Sequence, residues 1–199
     1  MQYVGHSVGS LTGNNLNVKY PNDVDATILT GFSNNLPLNL PVESYLAPAN
    51  VEDPVRFGSL SLGYLEITSE PVMTSTFYYL GGYDPTLALF DFETRGTISV
   101  GEAVTLDYSI AIAPSYTAPI FVVTGEFDEI FCNPTIASNK TSNCKTRSGN
   151  ILAQTNALYP SARPYTWYEV PNAGHDWQLH FTAQMGFRAA HDWLASVGF

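Results

Sequence analysis

The feature that most limits how this chain can fold is a glycine-serine-glycine turn near its N-terminus, at residues 5–9 (GHSVG). Residues 2–5 have the pattern of a strand end, and residues 8–20 predict a helix. Such a turn between a strand and a helix lifts the hydroxyl of Ser7 clear of the sheet, and small residues on either side avoid clashes. The backbone N–H of Val8 then lies at the helix N-terminus, where negative charge is favoured. The turn therefore predicts a helix packed on a sheet. A glycine-rich turn with an incidental serine is the alternative.

Other segments of the chain extend this pattern. Residues 26–30 and 120–124 are continuous apolar runs, typical of parallel strands covered on both faces, and residues 165–170 predict a further strand. From about Gln178, apolar residues recur every four positions and predict a helix with one buried stripe. The stripe comprises Phe181, Met185, Ala189, Trp193 and Val197. The order of elements predicts an α/β fold with a long insertion.

Three units follow from this order: a core part at residues 1–30, an inserted segment at residues 31–117, and a second core part at residues 118–199. The inserted segment is rich in proline and tyrosine and has weak periodicity, so we expect irregular structure with short helices. Its one firm helix signal is a capping box that begins at Ser99 and ends at Glu102. In the helix of the first unit, Gly9 and Gly13 predict a small-residue face against the sheet. Three tyrosines of the inserted segment could line a pocket, but aromatic packing is the expected role: Tyr78, Tyr79 and Tyr83.

Two further polar residues follow predicted strands. Asp128 comes just after the strand at residues 120–124, and His175 lies in a short loop after the strand at residues 165–170. Because the carboxyl ends of parallel strands meet at one edge of a sheet, we expect both side chains near Ser7. The order Ser, Asp, His is one of the known orders of a nucleophile–acid–histidine triad.

Other acids and histidines are weaker candidates for these roles. Glu126 and Glu129 flank Asp128 and could serve as the acid, whereas Asp176 adjoins His175 too closely in sequence to orient its ring. The remaining histidines are expected to pack or to face solvent: His6, His180 and His191. The spacing of His, Cys and Asp residues predicts no metal site, and we expect no cofactor.

Composition excludes some classes of function. With 45% hydrophobic and 13% charged residues the chain is globular rather than disordered, and its net charge of -10 disfavours nucleic acid and anionic membrane surfaces. No stretch approaches the roughly 18–20 apolar residues of a membrane-spanning helix. Cys132 and Cys144 lie on either side of a glycosylation sequon at Asn139, which favours a disulfide and a secreted protein over two reduced thiols and a chance sequon.

The motifs YVGHSVGS, LTGFS, VVTGEFD and PNAGHDWQLH resemble those of the α/β-hydrolase superfamily, particularly secreted fungal members with a large lid. The resemblance covers nearly the whole chain but is vague through residues 35–115. It implies the C-terminal part of an α/β-hydrolase fold, with residues 31–117 as the lid. It also implies that Ser7 is the nucleophile, His175 the general base and then acid, Asp128 the residue that holds the imidazolium, and Val8 an oxyanion donor. A serine nucleophile fits ester, thioester or amide cleavage, and a small carboxylic ester is the expected substrate.

The chain departs from this family at its start. In the family several strands and a second oxyanion donor precede the serine turn, whereas here the turn begins at residue 5. We therefore expect the natural N-terminus to be missing and the activity of this chain to be impaired, with the strand at residues 2–4 an unpaired apolar edge. Three hypotheses remain: a lidded serine esterase, a non-catalytic binding protein with a relic triad, and a fragment without a stable fold. The sequence leaves the oligomeric state open.

Overall fold

The computed structural model describes residues 1–35, 41–105, 110–132, 143–146 and 149–199. Its strands in chain order are β1 (Gln2–His6), β2 (Ala26–Thr30), β3 (Leu46–Pro48), β4 (Tyr64–Ile67), β5 (Ile98–Ser99), β6 (Ile120–Gly125), β7 (Lys145–Thr146), β8 (Gly149–Asn150) and β9 (Tyr165–Val170). Its α-helices are α1 (Val8–Lys19), α2 (Ala49–Glu52), α3 (Pro54–Phe57), α4 (Glu70–Phe77), α5 (Pro85–Thr94), α6 (Val100–Thr105), α7 (Ile151–Gln154) and α8 (Ala183–Ser196). Short 3₁₀ helices occupy Pro41–Tyr45, Thr155–Leu158 and Trp177–Leu179.

A parallel sheet with the strand order β1-β2-β6-β9 forms the centre of the molecule. Every residue of β2 and β6 is buried, because apolar clusters cover both faces of the sheet. The predicted α/β sheet and its four strands are thus confirmed. In the described part of the chain β1 pairs only with β2, and Val4 at this edge is 63% exposed. The carboxyl ends of all four strands lie together at one edge.

Helix α1 packs against this sheet through Gly13. A Cβ on Gly13 would overlap the ring of Tyr3 and touch the side chain of Leu29. A Cβ on Gly9 would meet nothing within 4 Å. The predicted small-residue face is therefore correct at Gly13 and wrong at Gly9. The backbone of Gly9 lies close to Gly5 of β1, but the space that a Gly9 side chain would occupy is open.

Residues 31–117 lie between the neighbouring strands β2 and β6 and include a second sheet. Its strands β3, β4 and β5 are antiparallel. The predicted short helices are present, but this sheet was not expected, because strands of two to four residues are too short to show alternation. The predicted capping box forms at α6: Ser99 N–H donates to Glu102 Oε2 at 2.9 Å, and Glu102 N–H donates to Ser99 Oγ at 3.1 Å.

The C-terminal helix α8 covers one face of the parallel sheet. The predicted stripe is correct at Trp193, which stacks on Phe121 of β6 with ring centroids 5.2 Å apart. It is wrong at Phe181, which is 70% exposed and precedes the start of α8 at Ala183, and at Met185, which is 48% exposed. A spacing of four residues drifts around a helix of 3.6 residues per turn, so it leaves the buried face after a few steps. No helix in the described ranges is long and apolar enough to cross a membrane.

Candidate active site

Ser7 lies in a strained turn between β1 and α1. Its backbone φ of 53° is in the left-handed region that non-glycine residues rarely adopt. Its N–H donates to the carbonyl of Thr30 at 3.0 Å, which fixes the turn to the end of β2. The buried hydroxyl of Ser10 lies 2.9 Å from the carbonyl of Gly5 and 2.8 Å from that of Thr30. These bonds hold Ser7 at the carboxyl end of the sheet. Val8 is the first residue of α1, so its N–H has no partner within the helix.

Asp128 follows β6 and is completely buried. Its Oδ1 accepts hydrogen bonds from the N–H groups of Ile130 and Phe131, both at 2.8 Å. Its Oδ2 lies 2.8 Å from His175 Nδ1. Burial by itself opposes the charge, but His175 and the two backbone donors outweigh it and hold the pKa of Asp128 below its usual value. The carboxylate is therefore ionised and points one oxygen at the histidine.

His175 joins the other two side chains. Its Nε2 lies 2.8 Å from Ser7 Oγ, and its Nδ1 faces Asp128. The ring is 2% exposed and packs near the rings of Phe77 and Phe131, with centroids 5.6 and 5.8 Å away. Burial tends to lower the pKa of His175, but the charge of Asp128 and their hydrogen bond raise it above its usual value. The three predicted residues thus form one continuous line of hydrogen bonds.

The turn that carries Asp128 and the loop that carries His175 are in direct backbone contact. Phe127 N–H donates to the carbonyl of Ala173 at 2.9 Å, and Asn172 N–H donates to Glu126 Oε2 at 3.1 Å. A Cβ on Gly125 would overlap the carbonyls of Ala173 and Gly174. The glycine at the end of β6 is therefore required for this approach.

A disulfide joins Cys132 and Cys144, as predicted, and both cysteines are buried. The N–H of Cys132 donates to the carbonyl of Asp128 at 3.0 Å, so the disulfide adjoins the acid turn. Cys144 contacts the same turn, because its N–H donates to the carbonyl of Glu126 at 3.0 Å. The predicted glycosylation site, Asn139, lies outside the described residues.

Two of the competing acids, Glu126 and Asp176, contact residues other than His175. Glu126 lies 3.5 Å from Lys145 Nζ, and Asp176 Oδ1 lies 3.1 Å from His6 Nε2. His6 is held on its other side, since its Nδ1 lies 3.0 Å from Gln178 Nε2. His6, Asp176 and His175 place ligand atoms within 4.8 Å of one another, and no other group of described residues has this proximity of metal-ligating side chains. The sequence could not reveal this group, because residues 6 and 175 are far apart along the chain.

The remaining histidine and tyrosine predictions concern packing and exposure to solvent. His191 is exposed, whereas His180 is buried against Tyr78, with ring centroids 5.4 Å apart, and against Tyr83, at 6.0 Å. Tyr79 stacks on Phe127 with centroids 4.0 Å apart. Tyr78, Tyr79 and Tyr83 therefore make aromatic contacts with one another or with the site loops.

Comparison with known proteins identifies the fold. No protein-family model and no curated protein matches the sequence. Solved structures do match. The monoacylglycerol lipase of Paleococcus ferrophilus is 15% identical with a TM-score of 0.62, over 99% of this chain and 68% of that one. A candidate non-heme bromoperoxidase of Mycobacterium tuberculosis is 15% identical with a TM-score of 0.57, over 100% and 68%. A thermophilic esterase of Thermogutta terrifontis is 15% identical with a TM-score of 0.55, over 100% and 66%. The chain spans about two thirds of the length of these proteins, and its fold is part of the α/β-hydrolase fold.

Proposed function

Because the described chain has part of the α/β-hydrolase fold, we propose that the protein is a serine hydrolase that cleaves carboxylic esters. The line of hydrogen bonds from Ser7 through His175 to Asp128 is the observation that carries this proposal. The fold does not choose the reaction, since its neighbours include both ester hydrolases and a candidate bromoperoxidase. An activated serine hydroxyl is the group that acyl transfer requires.

The geometry supports a two-step mechanism. Ser7 Oγ attacks the ester carbonyl while His175 Nε2 takes the hydroxyl proton. Before the transfer, Asp128 keeps Nδ1–H as a donor and leaves Nε2 as the acceptor; after it, the carboxylate stabilises the imidazolium. His175 then gives the proton to the departing alkoxide, and the C–O bond to the alcohol breaks. In the second step water attacks the acyl-serine while His175 takes its proton. His175 then returns that proton to Ser7 Oγ as the acyl C–O bond breaks and the carboxylic acid leaves.

Stabilisation of the tetrahedral oxyanion is assigned to Val8. Its N–H opens α1, where the helix dipole favours negative charge. In the described part of the chain Val8 is the one donor that we assign to this role. Because the loss of one oxyanion donor typically costs about 10²–10³ in rate, we propose that turnover depends on the Val8 N–H.

The proposal extends to the substrate and the compartment. A monoacylglycerol lipase and an esterase among the structural neighbours support a small carboxylic ester as substrate. The Cys132–Cys144 disulfide supports a secretory origin, since such bonds persist in oxidising compartments.

A fluorophosphonate serine-hydrolase probe tests the proposed chemistry. We expect mass spectrometry to locate the label on Ser7, and we expect Ser7→Ala to abolish labelling and His175→Ala to slow it by about 10³-fold or more. Ser75→Ala is the matched control, since Ser75 is exposed on α4 and its hydroxyl donates to the carbonyl of Val72 in its own helix. A folded, soluble chain that resists the probe would refute the proposal and support a binding role instead.

A further inference from the structure

A second buried histidine contacts the backbone on both sides of the proposed catalytic histidine. His180 is 5% exposed, and nothing in the proposed mechanism uses it. Its Nε2 accepts hydrogen bonds from the N–H groups of Gly174 and Tyr79, both at 3.0 Å. Its Nδ1 lies 2.9 Å from the carbonyl of Asp176. All three polar contacts are with backbone groups, so the ring constrains the backbone at these positions.

The positions of these contacts connect His180 to the site. Gly174 precedes His175 and Asp176 follows it, so one imidazole ring holds the backbone on both sides of the proposed general base. Tyr79 belongs to the inserted segment, so the same ring also ties that segment to the histidine loop. The tie is reinforced where Phe181 N–H donates to the carbonyl of Gly82 at 2.8 Å.

The partners of His180 also determine its protonation state. Two N–H donors point at Nε2, so this nitrogen must carry a lone pair, and the carbonyl at Nδ1 requires that nitrogen to carry the proton. A second proton would place Nε2–H against two other N–H groups and would remove the acceptor of both. The arrangement exists only with a neutral ring.

We propose that His180 is a positioning residue for His175, and that protonation of its Nε2 releases both the histidine loop and the inserted segment. This inference rests on the proposed role of His175 as general base. In this arrangement the site is competent only while His180 is neutral, so His180 is an acid-sensitive element separate from the triad.

The electrostatic surroundings agree with a neutral ring. Burial lowers the pKa of His180 below its usual value, and the carbonyl and carboxylate of Asp176 oppose this only in part. The rings of Tyr78 and Tyr83 face it from the inserted segment, and burial raises the pKa of Tyr78, which stays uncharged. The hydroxyl of Tyr78 lies 2.7 Å from Oδ2 of Asp91, and burial raises the pKa of the Asp91 carboxyl.

Histidine NMR of the 199-residue chain tests the inference directly. With ¹⁵N-labelled imidazoles, we expect His180 to be the Nδ1–H tautomer and to titrate below about 6.5. At that same midpoint we expect the ring signals of His175 to shift a second time, beyond their own titration. This second shift should vanish in His180→Gln and persist in His191→Gln, an exposed histidine on α8 that serves as the matched control. A His180 that titrates at an ordinary value, or a His175 that does not respond to it, would overturn the inference.

A pair of substitutions separates positioning from simple packing. The amide oxygen of a glutamine can replace Nε2 as acceptor, whereas the shorter asparagine can replace only the Nδ1 donor. We expect His180→Gln to keep Ser7 labelling within about 5-fold of wild type near neutral pH, and His180→Asn to lose about 10²-fold. In wild type, the slope of the logarithm of the labelling rate against pH should rise from one to two at acid pH. In His180→Gln this slope should stay at one. Equal losses in both variants would contradict positioning through Nε2. If Ser7 does not label at all, the proposed function fails while the NMR titration still decides the role of His180.

Discussion

The two glycines of the GHSVG turn provide a sharp test, because the structure assigns them opposite tolerances. A Cβ on Gly5 would lie 2.5 Å from both the carbonyl carbon and the oxygen of Gly9, and 2.8 Å from Ser10 N. A Cβ on Gly9 would meet nothing within 4 Å. We therefore predict that Gly5→Ala disrupts the turn and that Gly9→Ala does not.

The size of the difference follows from these distances. At Gly5 the new methyl group falls about 0.9 Å short of ordinary contact with backbone atoms at the start of α1, so the helix must shift. Overpacking of this kind costs about 1–3 kcal/mol. At Gly9, a helical position, alanine gains up to about 1 kcal/mol over glycine. For a chain of this size, the Gly5→Ala variant should melt roughly 5–10 °C below the Gly9→Ala variant.

Thermal unfolding and probe labelling measure both consequences. A shift of about 1 Å at Ser7 should slow labelling about 10²-fold in Gly5→Ala, while Gly9→Ala stays within about 3-fold of wild type. Equal melting temperatures for the two variants would refute the reasoning, as would a Gly5→Ala variant that melts and labels like wild type. Unfolding alone decides the question if wild type does not label.

Three further predictions follow from the described contacts. Between the pKa of His175, which the charge of Asp128 raises above about 6.5, and the lower pKa of His180, Ser7 labelling should fall tenfold per pH unit. Asp128→Asn should move the midpoint of His175 to lower pH, and an unchanged midpoint would contradict the coupling. Replacing Cys132 and Cys144 by serine should lower the free energy of unfolding by about 3 kcal/mol in urea titrations, and wild type in reductant should match the double variant. Val4→Lys should reduce self-association in sedimentation experiments, because Val4 is 63% exposed at the β1 edge; equal association would argue against this edge as the cause.

Much of the fold could be predicted because its signals are local. The strands β2 and β6 are continuous runs whose burial on both faces requires apolar or β-branched residues. Strand β9 is only partly buried, but its aromatic and β-branched residues still predict a strand. The proposed triad could also be predicted, because each of its members follows a strand and parallel strands end at one edge.

Other features could not be predicted, because they depend on residues far apart in the chain. The sheet of the inserted segment consists of strands too short to carry a pattern of their own. The buried stripe of α8 was misplaced at Met185, because only the position of the helix on the sheet decides which face is covered. The small-residue face of α1 failed at Gly9 for the same reason.

The sequence by itself determined the order of elements, the turn at Ser7 and the identity of the three residues proposed for catalysis, since these follow from neighbours within a few positions. Only the tertiary structure decided what surrounds them. His6 meets Asp176 across 170 positions, and His180 meets Tyr79 across 101. Such contacts arise from how loops from different units pack at the edge of the sheet, and no local preference specifies them. The same packing brings His180 against the backbone on both sides of His175.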